Sequence, residues 1–325
     1  MKAVVQRAYG PVDVLAVRDV ERPRPRPDEV VVRVAAAGVG PEVWHVMAGS
    51  PFVVRLVFGL RRPRNPVCGR DLAGWVEELG SDVTAFRIGD AVLGSGVGTF
   101  AEYARAKAVH LARKPLSITF EQAAALPVSG QTALQALRDK ARVNAGQRVL
   151  ILGASGGVGT YAVQLAAAHF GAEVTAVCGS AAAEHVRALG AAHVVDYTRE
   201  DIDSVDHVGR YDVILDIAGN RPLPVLRRAL TPRGTLVIVG GEGGGKILGM
   251  GRALRAVSQS PFLRQEQKNL LALTRASDLA TLIGLIEAGQ LTPYVDRAYP
   301  LADAAAAIRH LREGHPMGKL VVTLP

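Results

Sequence analysis

The sequence predicts an α/β protein of two lobes, one β-rich and one built on a doubly wound parallel sheet. Three observations carry this. From Arg148 onward, short apolar runs alternate with stretches of helical composition, the pattern of strands buried on both faces with helices between them. The first of these runs ends in a glycine-rich turn that opens a helix. Roughly the first hundred residues instead show short alternations bounded by Pro, Gly and Asp, which is strand punctuation. The length of 325 residues agrees, since a single domain commonly holds ~100–200 residues.

In chain order, Lys2–Arg7 and Glu29–Ala37 read as strands, separated by the proline-rich Pro23–Pro27 that cannot sit inside a central ladder. Asp71–Leu79, Ala91–Gly94 and Thr99–Ala104 follow as short strands. At Thr119 the rhythm changes. Thr119 with Gln122 three residues on makes a capping box before an Ala/Leu-rich helical stretch interrupted at Pro127. Then come the strand Arg148–Leu152, a helix over about Gly157–Phe170, and the strand Glu173–Cys178. The helix Ala182–Leu189, the strands His193–Asp196 and Asp212–Asp216, a helix around Leu223–Leu230 and the strand Thr235–Val239 complete the α/β lobe. A glycine-rich stretch from Gly240 to Gly251 leads through mixed helix to a last strand at Val321–Thr323. These changes of rhythm divide the chain at 1–122, 123–260 and 261–325.

Composition excludes several classes. Two cysteines, Cys68 and Cys178, make neither a disulfide scaffold nor a four-cysteine zinc lobe and fit a reducing cytoplasm. No apolar run approaches the ~18 residues of a membrane span, and the N-terminus has no secretory h-region. The net charge is +8, with basic clusters at Arg22–Arg26 and Arg61–Arg64. With aromatic residues at 5% and no recognition motif, nucleic acid is not the expected partner. The segment Phe52–Phe58, next to Arg61–Arg64, reads either as a lid helix with a solvated basic turn or as a peripheral contact with lipid. Stable membrane insertion is not expected.

The turn Ala154, Ser155, Gly156, Gly157, Val158, Gly159 lies between a strand and a helix, in the frame of a dinucleotide-binding fingerprint with alanine at the first glycine position. Gly156 lets backbone approach a pyrophosphate, Gly159 lets helix and strand pack closely, and the helix N-terminus offers unpaired N–H groups to phosphate. The second strand ends in Val177-Cys178-Gly179-Ser180, with no carboxylate for a ribose 2′-hydroxyl. That permits a 2′-phosphate and so points to NADPH, with Ser180, Tyr197 or Arg199 in reach of it.

The chain resembles the medium-chain dehydrogenases/reductases, in the zinc-independent, quinone-oxidoreductase-like branch. The pieces carrying the resemblance are Ala36–Pro41 with Trp44-His45, Pro66–Gly74, Gly80–Asp90, Phe100–Tyr103, Gln131–Leu134 and Gly153–Gly159. Leu189–Ala191 with Asp196-Tyr197, Asp212–Asp216, Leu285–Gly289 and Gly314–Lys319 continue it along nearly the whole chain. It implies a GroES-like catalytic domain formed by both chain ends and a Rossmann domain between them. A homodimer paired through sheet edges is also implied, with Thr235–Val239 as the candidate edge. Relative to zinc alcohol dehydrogenases, Gly40 stands where a cysteine ligand is needed, and Arg70-Asp71 where a His-Glu pair is needed. Relative to quinone reductases, an Asn is missing at Gly40, the acid Glu42 comes one position early, and no basic residue stands near Ala181.

The resemblance therefore implies hydride transfer from NADPH to a quinone or an enone, with the nicotinamide facing Gly40–His45. His45 is the candidate proton donor, water being the other source, with Glu42 as substrate anchor or rim carboxylate and Trp44 beside them. Thr132 is implied as a nicotinamide-ribose contact. Gly240 and Gly241 follow a strand end where the ligand crevice forms. Lys319 reads either as a phosphate contact from the returning segment or as a surface lysine. The alternative function is an NADP-binding regulatory or assembly protein with little turnover.

Overall fold

The computed structural model describes residues 1–200, 202, 204–240, 251–260, 263–314 and 316–325. Two units follow from the chain's contacts: Met1–Gln131 with Thr274–Gly289 and Pro293–Pro325, and Thr132–Leu273 with Gln290–Thr292.

In the first unit, β1 (Lys2–Gln6) and β2 (Leu15–Asp19) form an antiparallel pair. The Val- and Ala-rich β3 (Glu29–Val39) runs through the centre of a larger sheet. Helices α1 (Pro41–Ala48) and α2 (Val53–Phe58) follow it, then β4 (Asp71–Leu79), β5 (Ala91–Ser95), β6 (Tyr103–Lys107) and β7 (Leu111–Arg113). Helix α3 (Phe120–Ala125) starts with both bonds of the capping box formed: the Gln122 N–H donates to Thr119 Oγ1 at 3.2 Å and the Thr119 N–H to Gln122 Oε1 at 3.0 Å. The chain leaves this unit within α4 (Pro127–Gln135) at Gln131.

In the second unit, β8 (Arg148–Leu152) leads into α5 (Gly157–Gln164), which continues as a π-helical turn over Leu165–His169. After it come β9 (Glu173–Cys178), α6 (Ala183–Ala188), β10 (His193–Asp196), β11 (Tyr211–Asp216), α7 (Leu223–Ala229), β12 (Leu230–Ile238), α8 (Gly251–Gln259) and β13 (Glu266–Asn269). All six strands are parallel, in the order β10-β9-β8-β11-β12-β13. This is the doubly wound order, with its reversal between β8 and β11. Leu150, Leu152, Ile214, Leu226 and Leu236 lie in one buried cluster, and each side chain of this kind contributes about 1.5–3 kcal/mol on burial.

Two readings of the sequence are corrected here. Thr235–Val239 is not an edge, because β12 pairs with β11 on one side and β13 on the other. The edge is β13, whose Glu-Gln-Lys-Asn sequence has no apolar alternation and carries a Glu266–Lys268 ion pair, as exposed edges often do. For the same reason a boundary at residue 260 cuts one strand off the parallel sheet.

The chain then re-enters the first unit through α9 (Ala276–Glu287), β14 (Val295–Pro300), α10 (Ala304–Glu313) and β15 (Lys319–Thr323). Strand β15 pairs antiparallel with β3, giving the order β14-β15-β3-β4-β5-β7 with β6 also on β3. Both chain ends thus build one sheet, and Val32, Val34, Leu72, Val92 and Phe100 share a core with Leu320 and Val322.

Candidate functional site

In the second unit the candidate site is built from backbone. Gly153, at φ +79°, turns the chain directly after β8, so the left-handed position of the turn falls one residue before Ala154. A Cβ on Gly159 would lie 2.1 Å from Gly153 O, which is the close approach read from sequence. A Cβ on Gly156 would meet only Gly153 O, at 3.6 Å, leaving that face accessible. Ala154 and Gly159 are buried, while Ser155, Gly156, Gly157 and Val158 are half-buried. Gly156 caps α5 without any side-chain hydrogen bond, so the helix's first N–H groups remain for an anion. The turn lies at the reversal of strand order, where such sheets bind ligands. These features fit the pyrophosphate of a nicotinamide nucleotide.

Around the turn, the backbone N–H groups of Val239 and Gly240 donate to Asp216 O at 3.0 and 3.2 Å. A Cβ on Gly240 would lie 2.0 Å from Ile217 O. Gly240 therefore packs at the strand ends, and Gly241 lies outside the described residues. Thr132 is half-buried on α4.

At the end of β9 the fold assembles a group that sequence order hides. The parallel register sets Asp196 opposite Cys178. The Ser180 hydroxyl donates to Asp196 Oδ2, and Thr198 donates to Oδ1 from its N–H at 3.0 Å and its hydroxyl at 2.7 Å. These bonds hold the Asp196 carboxyl below its ordinary range. Tyr197 is exposed, with its ring beside Gly179. No carboxylate follows β9 in sequence, yet β10 brings one to its end.

In the first unit the candidate site is built from side chains. A cavity of about 500 Å³ is lined by Val43, Val46, Val57, Phe58 and Val67 among apolar groups, and by Glu42 and Arg70 among polar ones. Glu42 lies in the first turn of α1 and folds back over the helix start. Gly40 makes this possible, since a Cβ there would lie 2.3 Å from Glu42 Oε2. Glu42 Oε1 is buried with no hydrogen-bond partner among the described residues. Near it is Asp71, fully buried at the start of β4. Its carboxylate accepts from the Val128 N–H at 3.3 Å and the Ser95 hydroxyl at 3.5 Å, and faces Lys319 Nζ at 3.9 Å. Burial pushes the Asp71 carboxyl up to about 7; Lys319 opposes the shift and the Glu42 charge adds to it.

The other expected residues lie elsewhere. His45 is half-buried; its Nδ1 is 2.8 Å from Ser50 O and its ring meets Trp44 edge-on. Trp44 packs on the first unit's core, with the Arg312 guanidinium 3.9 Å from its ring centre. Neither lines the cavity that Glu42 lines. Lys319 is buried with its ammonium turned to Asp71, so it is not a surface lysine. Glu42 is half-buried on the cavity wall, with Oε1 buried and Oε2 over the helix start. Asp71, which the sequence does not single out as a site residue, joins Glu42 and Lys319 in this group. Its signal in the sequence is an acid opening the apolar first two thirds of a strand, Asp-Leu-Ala-Gly-Trp-Val, ahead of Glu77 and Glu78. Cys68 is buried, its thiol pushed up to about 12, and its Sγ donates to Gln6 Oε1 at 3.4 Å.

A doubly wound sheet with a glycine turn at its switch point fits a nicotinamide nucleotide, and the β unit carries a largely apolar cavity with Glu42 on its wall, the parts of an oxidoreductase. Residues 26–116 match the alcohol dehydrogenase GroES-like domain model and residues 189–322 the model described as zinc-binding dehydrogenase. The chain is 33% identical to the chloroplast envelope quinone oxidoreductase homolog of Arabidopsis thaliana, covering 92% of this chain and 91% of that protein. It is 32% identical to the NADPH-dependent alkenal/one oxidoreductase of the same plant, over 99% of this chain and 79% of that one. The solved quinone oxidoreductase of Coxiella burnetii superposes with a TM-score of 0.88 at 30% identity, covering 100% of this chain and 99% of that one. The chain belongs to the quinone-oxidoreductase-like branch of the medium-chain dehydrogenase/reductase superfamily, and it is an oxidoreductase of that type.

Proposed function

We propose that the protein uses NADPH to reduce a quinone, or the carbon–carbon double bond of an α,β-unsaturated carbonyl, with the proton delivered at Glu42. The observation that carries this is the Glu42 carboxyl on the wall of a largely apolar cavity, with an unpartnered oxygen and Asp71 close behind it. A cavity of about 500 Å³ suits a small planar acceptor.

When bound, the nicotinamide supplies a hydride. Hydride and one proton together convert a quinone to its hydroquinone or an enone to its saturated ketone. The chain's own residues do the rest. The turn Gly153–Gly159 and the start of α5 hold the pyrophosphate, and the apolar cavity walls exclude water from the acceptor. The proton comes from solvent and passes through the Glu42–Asp71 pair to the acceptor, Asp71 being the member that burial keeps protonated up to about 7, with Lys319 opposing that shift. NADPH is preferred because Gly179-Ser180 follows β9 where a carboxylate would repel the 2′-phosphate. Asp196 limits that preference, since its charge stands at the same strand end.

The test is oxidation of NADPH and of NADH in parallel against a small quinone, an alkenal and a cyclic enone. The expected result is turnover with one acceptor class, faster with NADPH, and a further gain for NADPH in Asp196→Asn. No turnover with any acceptor, or full turnover in Glu42→Gln, would overturn the reading.

A further inference from the structure

Helix α2 and the turn after it carry an apolar surface that the proposed chemistry does not use. Leu56, Val57 and Leu60 are 57%, 63% and 60% exposed, and Phe52 and Phe58 are exposed beside them. This is five large apolar side chains within nine residues of sequence, where single exposed apolar residues are the ordinary case. From Gly49 to Gly69 the chain holds four arginines and no Asp or Glu. Three of the four, Arg61, Arg62 and Arg64, are exposed.

The segment is well anchored. Tyr9 Oη donates to Gly59 O at 2.5 Å, and the Arg64 N–H donates to Phe58 O at 2.7 Å. Arg55 Nε donates to Gly49 O at 2.9 Å while its guanidinium stacks 4.7 Å from the Tyr9 ring centre. These bonds satisfy backbone polar groups within the unit, so apolar side chains face outward from a fixed frame. The same segment reaches the cavity: Val57, Phe58, Pro63 and Arg64 are among its lining.

We propose that this face docks on an anionic lipid surface, with Leu56, Val57 and Leu60 entering the headgroup boundary and Arg61 and Arg62 meeting lipid phosphates. An apolar cluster with flanking cations is the composition of an interfacial anchor, and neither half would hold alone. The charge selects lipid over a second copy of this chain, because two such faces would bring six exposed arginines together with no acid in either segment. The arrangement also opens the cavity next to the lipid, which gives a lipophilic acceptor a short path out of the bilayer. This last consequence rests on the reductase reading; docking itself does not.

The experiment is co-sedimentation of the full chain with vesicles of phosphatidylcholine alone and of phosphatidylcholine with phosphatidylglycerol. Binding is expected only to the anionic vesicles, weakening as salt is raised. Arg61→Gln with Arg62→Gln should lower the affinity about thirtyfold, with about a fifth of the affinity retained per arginine removed. Leu56→Asp with Leu60→Asp should abolish binding. Neither pair lines the cavity, so turnover of a water-soluble acceptor serves as the check that both variants are folded. Absence of binding to anionic vesicles, or binding indifferent to both variants, would overturn the proposal. So would a wild-type dimer by light scattering that Leu56→Asp with Leu60→Asp converts to monomer, since the face then belongs to a second copy. A protein that binds vesicles but reduces no acceptor would retain the docking face and lose only the reductase reading.

Discussion

Each unit holds a fully buried aspartate at a strand end, Asp71 in the first and Asp216 in the second. Burial raises both carboxyls above the ordinary range. The partners differ. Asp216 forms an ion pair with Arg252 and accepts from the Gly219 N–H at 2.9 Å, which ties the turn after β11 to helix α8. Asp71 meets its lysine only at 3.9 Å and also feels the charge of Glu42. A closely paired buried charge organises chain, and removing one partner leaves the other uncompensated. A loosely paired one, beside a second carboxyl and a cavity, keeps both protonation states in reach. Neighbours, not burial, distinguish a structural carboxylate from one suited to proton traffic.

The most damaging way to test it is Asp216→Ala. Arg252 then loses its partner, and urea denaturation should show a loss of about 3–5 kcal/mol. Glu42→Gln keeps the shape of the first site and removes the carboxylate that passes the proton on. Its kcat should fall about a hundredfold with the fold intact, whereas His45→Asn should leave kcat within about twofold, since His45 is bonded to Ser50 O away from the cavity. Gly159→Ala sets a methyl against Gly153 O and should cost about 2 kcal/mol together with nucleotide affinity, measured by nucleotide titration.

A smaller effect sharpens the contrast through pH. Folded Asp71 holds its proton up to about 7, against an ordinary value of 3.8. Its ionisation therefore weighs against the folded state: its contribution to stability is complete below about pH 4 and is lost as pH rises through about 7. Denaturation midpoints of the wild type should carry this decline, and those of Asp71→Asn should lack it. The smallest change is Thr119→Ala, which removes half of the capping box and should cost about 1 kcal/mol by the same measurement.

The second unit was the more legible. Its strands are continuous apolar runs, its helices lie between them, and its glycine turn acts through backbone within seven residues of chain. Each of these is a local property, and β4, β9 and the Thr119 capping box formed where the sequence had them. The first unit's polar group draws Glu42, Asp71 and Lys319 from three distant stretches. No local pattern marks such a convergence, which is why the sequence singles out the neighbours Trp44 and His45 on one short helix and not Asp71. The polar β13 escaped notice because four residues without apolar alternation resemble a loop.

By itself, the sequence determined the two-lobe α/β architecture, the dinucleotide turn and the family, because periodicity, glycine placement and motif order are written along the chain. Only the tertiary structure decided that Lys319 turns to Asp71, that Asp196 stands at the end of β9, and that the apolar side chains of α2 face outward. Those outcomes depend on strand register, antiparallel return of the C-terminal strand and burial. These are relations between distant residues, and they exist only once the chain has closed on itself.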